Sequence, residues 1–202
     1  LKSGSGVGGN LNVKTDELVI VRSKIKSDAG IGARGAAGSI NINTDSFRVS
    51  SDAIQANAEI TATTRGKAQG GRININSDFI DFNRMKIMSE STSKRSTVSG
   101  GDSGTIQLNS KDMNLGEGVL ISTSTHGRGD AGLISIQADS IQLNGGETVY
   151  DAITVTSNTR FRDQDGVAGD VVGGDGGSLR LQADRIHLGK NVFLSSETFG
   201  NG

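Results

Sequence analysis

The sequence predicts an all-β protein, a right-handed parallel β-helix (solenoid) of about six three-strand coils. Six copies of a Gly-x-apolar-x-apolar motif run through its 202 residues. Inside each copy, apolar and polar residues alternate in short runs. Aromatic residues make up only 3% of the chain, and Pro and Cys are absent. Stacked coils account for all three observations, because a narrow solenoid interior needs only columns of small aliphatic side chains.

The repeat begins at a glycine, and its length varies. The start glycines are Gly9, Gly38, Gly71, Gly104, Gly132 and Gly177. They lie 29, 33, 33, 28 and 45 residues apart, while the apolar positions after each glycine keep their phase. We therefore expect one β-helical repeat domain over residues 1–202, with coils starting near these glycines and with length changes confined to turns. The longest unit gains an inserted surface loop, residues 158–176.

Each unit contains three alternating apolar runs. In the copy that starts at Gly132 these are Ile134-x-Ile136, Ile141-x-Leu143 and Ile153-x-Val155. Period-two alternation over so few residues, bounded by turn residues, indicates half-buried strands. Parallel stacking is expected rather than hairpins, because only Asn144-Gly145 offers a regular two-residue hairpin turn. A right-handed winding follows from the general preference of parallel crossovers.

Charge and hydropathy exclude two kinds of partner. The formal net charge is −1, and Lys and Arg are scattered along the chain. No basic patch is therefore expected for nucleic acid or an anionic membrane. No apolar run approaches the roughly 18 residues of a membrane helix, so we expect no membrane insertion. Both ends carry repeat-like sequence, and we expect the chain to be cut from a longer array.

Residues 121–143 come closest to the consensus of the repeat. The consensus is Ile-x-Ser-x-Thr-x-Gly-x-Gly-x-Ala-Gly together with Gly-x-Ile-x-Ile-x-Ala-Asp-x-Ile-x-Leu, and Thr123 stands at its Ser position. This pattern resembles the repeats of filamentous-haemagglutinin-like exoproteins, the secreted partners of two-partner secretion systems, and the resemblance covers essentially the whole chain. It implies a rod that folds outside the cell and acts in adhesion, aggregation or fibre formation. The implied location is extracellular, at a bacterial cell surface.

Three functions stay open at this point. The first is a non-catalytic structural shaft of a secreted, surface-exposed adhesin or extracellular filament, whose partners would be a host-surface or matrix glycan or protein. The family's secretion domain carries Asn-Pro motifs, and a chain without Pro would then be shaft alone. The second is a homopolymeric fibre that self-associates through its coil ends, because uncapped strand edges template pairing. The third is a polysaccharide-binding or polysaccharide-cleaving β-helix.

Catalysis is not expected. The two histidines, His126 and His187, belong to different coils and to different parts of the repeat. We expect both to lie on outward-facing turns or strands. A cleaving enzyme would instead need two or more carboxylates and a basic residue in one groove near the insertion. We assign no catalytic residue.

A carboxylate recurs five residues after the first apolar position of the repeat. The members of this row are Asp16, Asp45, Asp78, Asp139 and Asp184, with Lys111 as the exception. We expect each Asp side chain to accept a hydrogen bond from a backbone N–H of its own turn, and hence no cofactor and no metal site. A calcium ladder is the alternative, although Ca²⁺ takes six to eight oxygens and each unit offers one recurring carboxylate.

Outward positions of the first strand are rich in amides. Stacked amides can hydrogen-bond from coil to coil, so we expect a polar ladder along one side of the stack. Its members are Asn12, Asn41, Asn43, Asn74, Asn76, Gln107, Asn109, Ser135, Gln137 and Gln182.

Candidate binding residues lie in two places. One is a tripeptide of the kind that integrins read, in a glycine-rich link. The other is the inserted loop, which contains an Asp-x-Asp-Gly sequence of the kind found in metal loops, without the Glu of an EF-hand, and two flanking aromatics that could stack on a ligand. The candidates are Arg128, Gly129, Asp130, Tyr150, Phe161, Asp163 and Asp165.

Overall fold

The computed structural model describes residues 6–30, 35–49, 58–92, 100–127, 129–160 and 174–199. Within these ranges the chain is all-β and contains no α-helix; its one helical segment is a short 3₁₀ turn, Val149–Asp151. All the strand pairs formed there are parallel, which confirms the predicted all-β class and parallel sheets. No helix within the described ranges is long and apolar enough to cross a membrane.

The described residues form twenty strands. They are β1 (Leu11–Lys14), β2 (Glu17–Ile20), β3 (Lys24–Lys26), β4 (Ser39–Val49), β5 (Ala58–Thr61), β6 (Arg72–Phe82), β7 (Met85–Met88), β8 (Ser91–Thr92), β9 (Thr105–Asn109), β10 (Asp112–Leu115), β11 (Leu120–Ser122), β12 (Thr125–His126), β13 (Leu133–Gln137), β14 (Ser140–Leu143), β15 (Ile153–Thr156), β16 (Thr159–Arg160), β17 (Ser178–Gln182), β18 (Arg185–Leu188), β19 (Val192–Ser195) and β20 (Thr198–Phe199).

These strands pair into three sheets. The ten-stranded sheet holds the first two apolar runs of every unit, the six-stranded sheet holds the third run, and the four-stranded sheet is β20-β16-β12-β8. Two long strands, β4 and β6, each join the first and second runs of their unit without a break. In the other units the first and second runs form two separate strands. On each side of the β4–β6 pair the large sheet therefore divides into two parallel branches, one for each run.

The expectation of three strands per unit is wrong in two respects. In the units of Gly38 and Gly71 the first two runs merge, because the ladder of paired residues continues through the turn position, where Thr44 pairs with Ser77. Four units also gain a short strand after the third apolar run, β8, β12, β16 or β20. It is the third strand of the Gly71 unit, whose first two runs have merged, and the fourth strand of the other three units. These strands begin at Ser or Thr, which have no apolar alternation to mark them.

Equivalent residues of successive units pair with one another. The register places Leu11 beside Ile40, Ile40 beside Ile73, and Ile73 beside Ile106. The same column continues through Ile134 to Leu179. The four middle members are fully buried. Each column therefore removes a continuous stack of aliphatic surface from water, which is the main stabilisation a narrow stack can obtain.

Close stacking explains why the repeat begins with glycine. The N–H of Gly104 donates to the carbonyl oxygen of Ser89, 3.0 Å away, and so closes one unit onto the next. A Cβ at Gly104 would overlap the carbonyl oxygen of Gly71 and the hydroxyl of Ser89. In the first unit, a Cβ at Gly9 would meet no described atom within 4 Å.

The aromatic side chains divide between core and surface. Phe47 and Phe82 are fully buried and pack edge-to-face, with ring centroids 4.8 Å apart and planes at 78°. Phe79 is half-buried and faces outward beneath the Arg48 guanidinium, 5.4 Å from the ring centroid. Phe193 is exposed in the last described unit. The side chain of Phe199 lies outside the described residues.

Candidate functional site: a polar groove across four units

An open groove of about 460 Å³ crosses four stacked units where each passes from its first apolar run to its second. Three consecutive positions of each unit line it: Lys14–Asp16, Asn43–Asp45, Asn76–Asp78 and Asn109–Lys111. We call this feature the amide groove. Every described residue that lines it is polar or charged, so a ligand there would be held by hydrogen bonds and charge.

Asparagine amides form one wall of the amide groove. Asn76 donates from Nδ2 to Oδ1 of Asn43 at 3.0 Å, and Asn109 donates in the same way to Asn76 at 2.8 Å. A second ladder lies two residues earlier, where Asn41 donates to Asn12 and Asn74 donates to Asn41, both at 2.9 Å. The predicted amide ladder is confirmed over these residues. Each internal amide donates one N–H to its neighbour, and its second N–H is not used in the ladder.

Hydroxyl groups form the floor. Thr44 donates from Oγ1 to the carbonyl oxygen of Asp16 at 2.9 Å. Ser77 donates to the carbonyl oxygen of Phe79 at 2.8 Å, and Ser110 donates to that of Asp112 at 2.7 Å. These hydroxyl protons are already engaged with the backbone. The floor therefore offers fixed acceptor lone pairs rather than donors.

Carboxylates form the opposite wall, and they do not act as predicted. The N–H groups of Asp45 and Ser46 both donate to the carbonyl oxygen of Asp16, one unit earlier, at 3.0 Å. Asp184 and Arg185 donate to the carbonyl oxygen of Asp139 in the same way. The expectation that each Asp side chain caps its own turn is therefore wrong. The backbone of the preceding unit satisfies these N–H groups and leaves the carboxylates facing solvent.

Lys111 takes the place of a carboxylate in the fourth unit. Its Nζ lies 2.8 Å from Oδ2 of Asp78. The hydrogen bond to Asp78, and then the charges of Asp78, Asp139 and Asp45, raise the pKa of Lys111 above its usual value. Within the described ranges, no three or more His, Cys, Asp or Glu side chains gather in a way that could hold a metal ion.

The structure gives two members of the Arg128-Gly129-Asp130 tripeptide a stacking role. Gly129 is buried, and a Cβ there would overlap the carbonyl oxygen of Gly101. Asp130 is exposed, and its Oδ1 accepts a hydrogen bond from the N–H of Asp175 at 2.8 Å. Its own N–H donates to Oδ1 of Asp102 at 3.0 Å. Arg128 lies outside the described residues, and receptor binding by the tripeptide stays a prediction.

Tyr150 is 85% exposed on the 3₁₀ turn. Asp151 anchors this turn, because its carboxylate accepts from Arg84 Nη2 at 2.8 Å and from Thr148 Oγ1 at 2.7 Å. The hydrogen bonds from Thr148 and Arg84 lower the pKa of Asp151. Phe161, Asp163 and Asp165 lie outside the described residues, as does most of the 158–176 insertion. The role of that loop stays a prediction.

Sequence reasoning identified both walls of the groove without joining them. The amide stripe and the Asp row are each visible as repeats, and residues 43–45 and 76–78 even share an Asn-(Thr/Ser)-Asp order. That shared triplet is the signal that could have revealed the groove.

Comparison with protein-family models, with curated proteins and with solved structures found no match to this chain.

Proposed function

We propose that the three sheets wind into a right-handed parallel β-helix, and that this segment is the non-catalytic structural shaft of a secreted, surface-exposed adhesin or extracellular filament. The observation that supports this most is the continuity of the residue columns, such as the one from Leu11 to Leu179. Units that contact only their neighbours build an object extended in one direction. The amide ladders add hydrogen bonds along that same direction, which stiffens it.

The fibre alternative draws on the last described unit. Ile186, Leu188 and Leu194 are 44%, 51% and 38% exposed there, although their columns are buried in the middle units. Phe193 is 52% exposed at an outward-facing position beside them. Such a surface favours a further coil stacked on it. That coil would come from the same chain in a shaft and from a second copy in a homopolymeric fibre.

A polysaccharide-active site is the other candidate, and one observation favours it. Asp45, Asp78 and Lys111 bring carboxylates and a basic residue together in one groove, although this groove crosses the first four units and the insertion belongs to the fifth. These side chains are all exposed, however, whereas a general acid is usually held in an apolar environment that keeps it protonated. His126 and His187 are exposed on β12 and β18 and lie outside the groove. Binding is therefore favoured over cleavage.

Two measurements test the proposal. Antibodies against the segment should label intact cells that produce it; labelling only after permeabilisation would contradict a surface role. Negative-stain electron microscopy across a concentration series separates the two structural functions. Short single particles at every concentration support a shaft, whereas filaments of uniform width that lengthen with concentration would replace it with the homopolymeric fibre.

A further inference from the structure

We propose that the amide groove binds a linear, uncharged polysaccharide lying along the stack of units. The inference rests on the proposed function only in that the groove requires stacked units. The segment could be a structural shaft even if the groove binds no ligand, so an experiment can refute the binding proposal without refuting the shaft.

The repeat of the groove favours a polymer. Its lining positions recur once per unit, with Asn in three of the four units on one wall and Asp in three of the four on the other. Adjacent paired strands lie roughly 4.8 Å apart. One hexose residue in an extended polysaccharide has a comparable length. A linear glycan can therefore present equivalent hydroxyl groups to successive units. A small molecule would contact the lining residues of one unit and none of those in the other three.

The hydrogen-bonding groups that the ladders leave unused are complementary to sugar hydroxyls. On one wall, Asn43 and Asn76 each keep an N–H after their ladder bonds are made. On the other wall, the side chains of Asp16 and Asp45 accept no hydrogen bond from the described part of the chain and are exposed. A sugar hydroxyl both donates and accepts. Neighbouring hydroxyls of one residue could donate to the Asp wall and accept from the Asn wall.

Charge and shape separate this ligand from others. The groove holds Lys14 and Lys111 against Asp16, Asp45 and Asp78, which leaves a formal charge of 2 − 3 = −1. A sulfated or uronic-acid glycan would meet net repulsion there. A protein partner would lack the buried apolar and aromatic anchors that dominate protein interfaces, because the described lining contains none.

The chain offers a matched pair of variants. Asn43→Ala with Asn76→Ala removes two amides that line the groove. Asn41→Ala with Asn74→Ala removes two amides of the neighbouring ladder, on the same strands β4 and β6, that do not line it. Both double variants break ladder bonds of the same type, so thermal unfolding should report similar losses. Asp45→Asn removes one exposed charge and provides a variant that keeps the ladders intact.

The probes are cellohexaose and laminarihexaose, with a heparin hexasaccharide as the polyanion, in isothermal titration calorimetry against the full chain. We expect at least one neutral hexasaccharide to bind, and shorter oligomers to bind more weakly. The groove double variant should bind about tenfold more weakly or worse, the loss of about 1.4 kcal/mol expected for two weak hydrogen bonds. The control double variant should stay within about twofold, and Asp45→Asn should weaken binding.

Four outcomes would overturn the inference. They are no binding of either neutral hexasaccharide, equal losses in the groove and control variants, unchanged binding by Asp45→Asn, and preferential binding of the heparin fragment. The last outcome would point to a different surface, because the groove carries no net positive charge.

Discussion

The Nζ of Lys111 lies 2.8 Å from Oδ2 of Asp78, which occupies the same position of the repeat one unit earlier. Every other described unit carries Asp there. Neighbouring carboxylates one strand spacing apart repel one another. A lysine in the fourth unit therefore interrupts the row of negative charges between Asp78 and Asp139 with a built-in cation.

Replacing that cation should destabilise the stack. Lys111→Asp creates an unbroken row of carboxylates, and we expect a lower melting temperature at low ionic strength, with a smaller deficit in about 1 M NaCl because salt screens exposed charges. Lys111→Arg keeps the charge and should melt like the wild type. If Lys111→Asp melts at the wild-type temperature at every salt concentration, repulsion between the carboxylates of the row does not destabilise the stack.

The start glycines give a prediction with an internal control. Gly104→Ala places a Cβ against the backbone of Gly71 and the hydroxyl of Ser89, and should lower the free energy of unfolding by about 1–3 kcal/mol. Gly9→Ala makes the same change at the same repeat position with no described atom in reach, and should be close to neutral. Chemical denaturation measures both. Similar losses at the two sites would refute close stacking as the reason for the glycine.

Acid sensitivity should be traceable to Glu59. Burial raises its pKa, but hydrogen bonds and charge from Lys24, 3.0 Å away, and from Lys26, 3.5 Å away, outweigh burial and hold the pKa below its ordinary value of 4.5. A lowered folded-state pKa means that the stabilisation is present above pH 4.5 and is lost as pH falls through the folded-state value.

The stability of the wild type should therefore exceed that of Glu59→Gln near neutral pH, and the two should converge in acid. Urea unfolding at a series of pH values between neutrality and about 3 measures this. The double variant Lys24→Gln with Lys26→Gln removes the same partners and should also lose acid sensitivity. A stability gap between wild type and Glu59→Gln that persists unchanged into acid would contradict the assignment.

The sequence predicted those features that depend on local pattern. The alternation of apolar and polar residues predicts the buried column that contains Ile40, Ile73 and Ile106, and the start glycines mark where each unit begins. The strands at Ser91 and Thr125 were missed because they are polar although fully buried, and their pairing is decided by the unit above and below. The amide groove was missed because its walls meet only when units 29 to 33 residues apart in sequence are stacked in register.

The central claim is that the chain is a stack of interchangeable coils, and deletion of one complete unit tests it most directly. Removing residues 71–103 joins Gly70 to Gly104 and brings Ile106 beside Ile40, so the columns stay in phase. Removing only residues 77–92 of the same unit leaves its first run without the second and third runs, so the ladders of those two runs are interrupted between the Gly38 and Gly104 units.

We predict that the variant lacking 71–103 keeps a β-sheet circular dichroism spectrum and unfolds cooperatively, with a denaturant m-value smaller by about one sixth because one unit of buried surface is gone. The variant lacking 77–92 should not fold. If deletion of the complete unit unfolds the protein as thoroughly as the half-unit deletion does, the sheets form one indivisible core and the solenoid account is wrong.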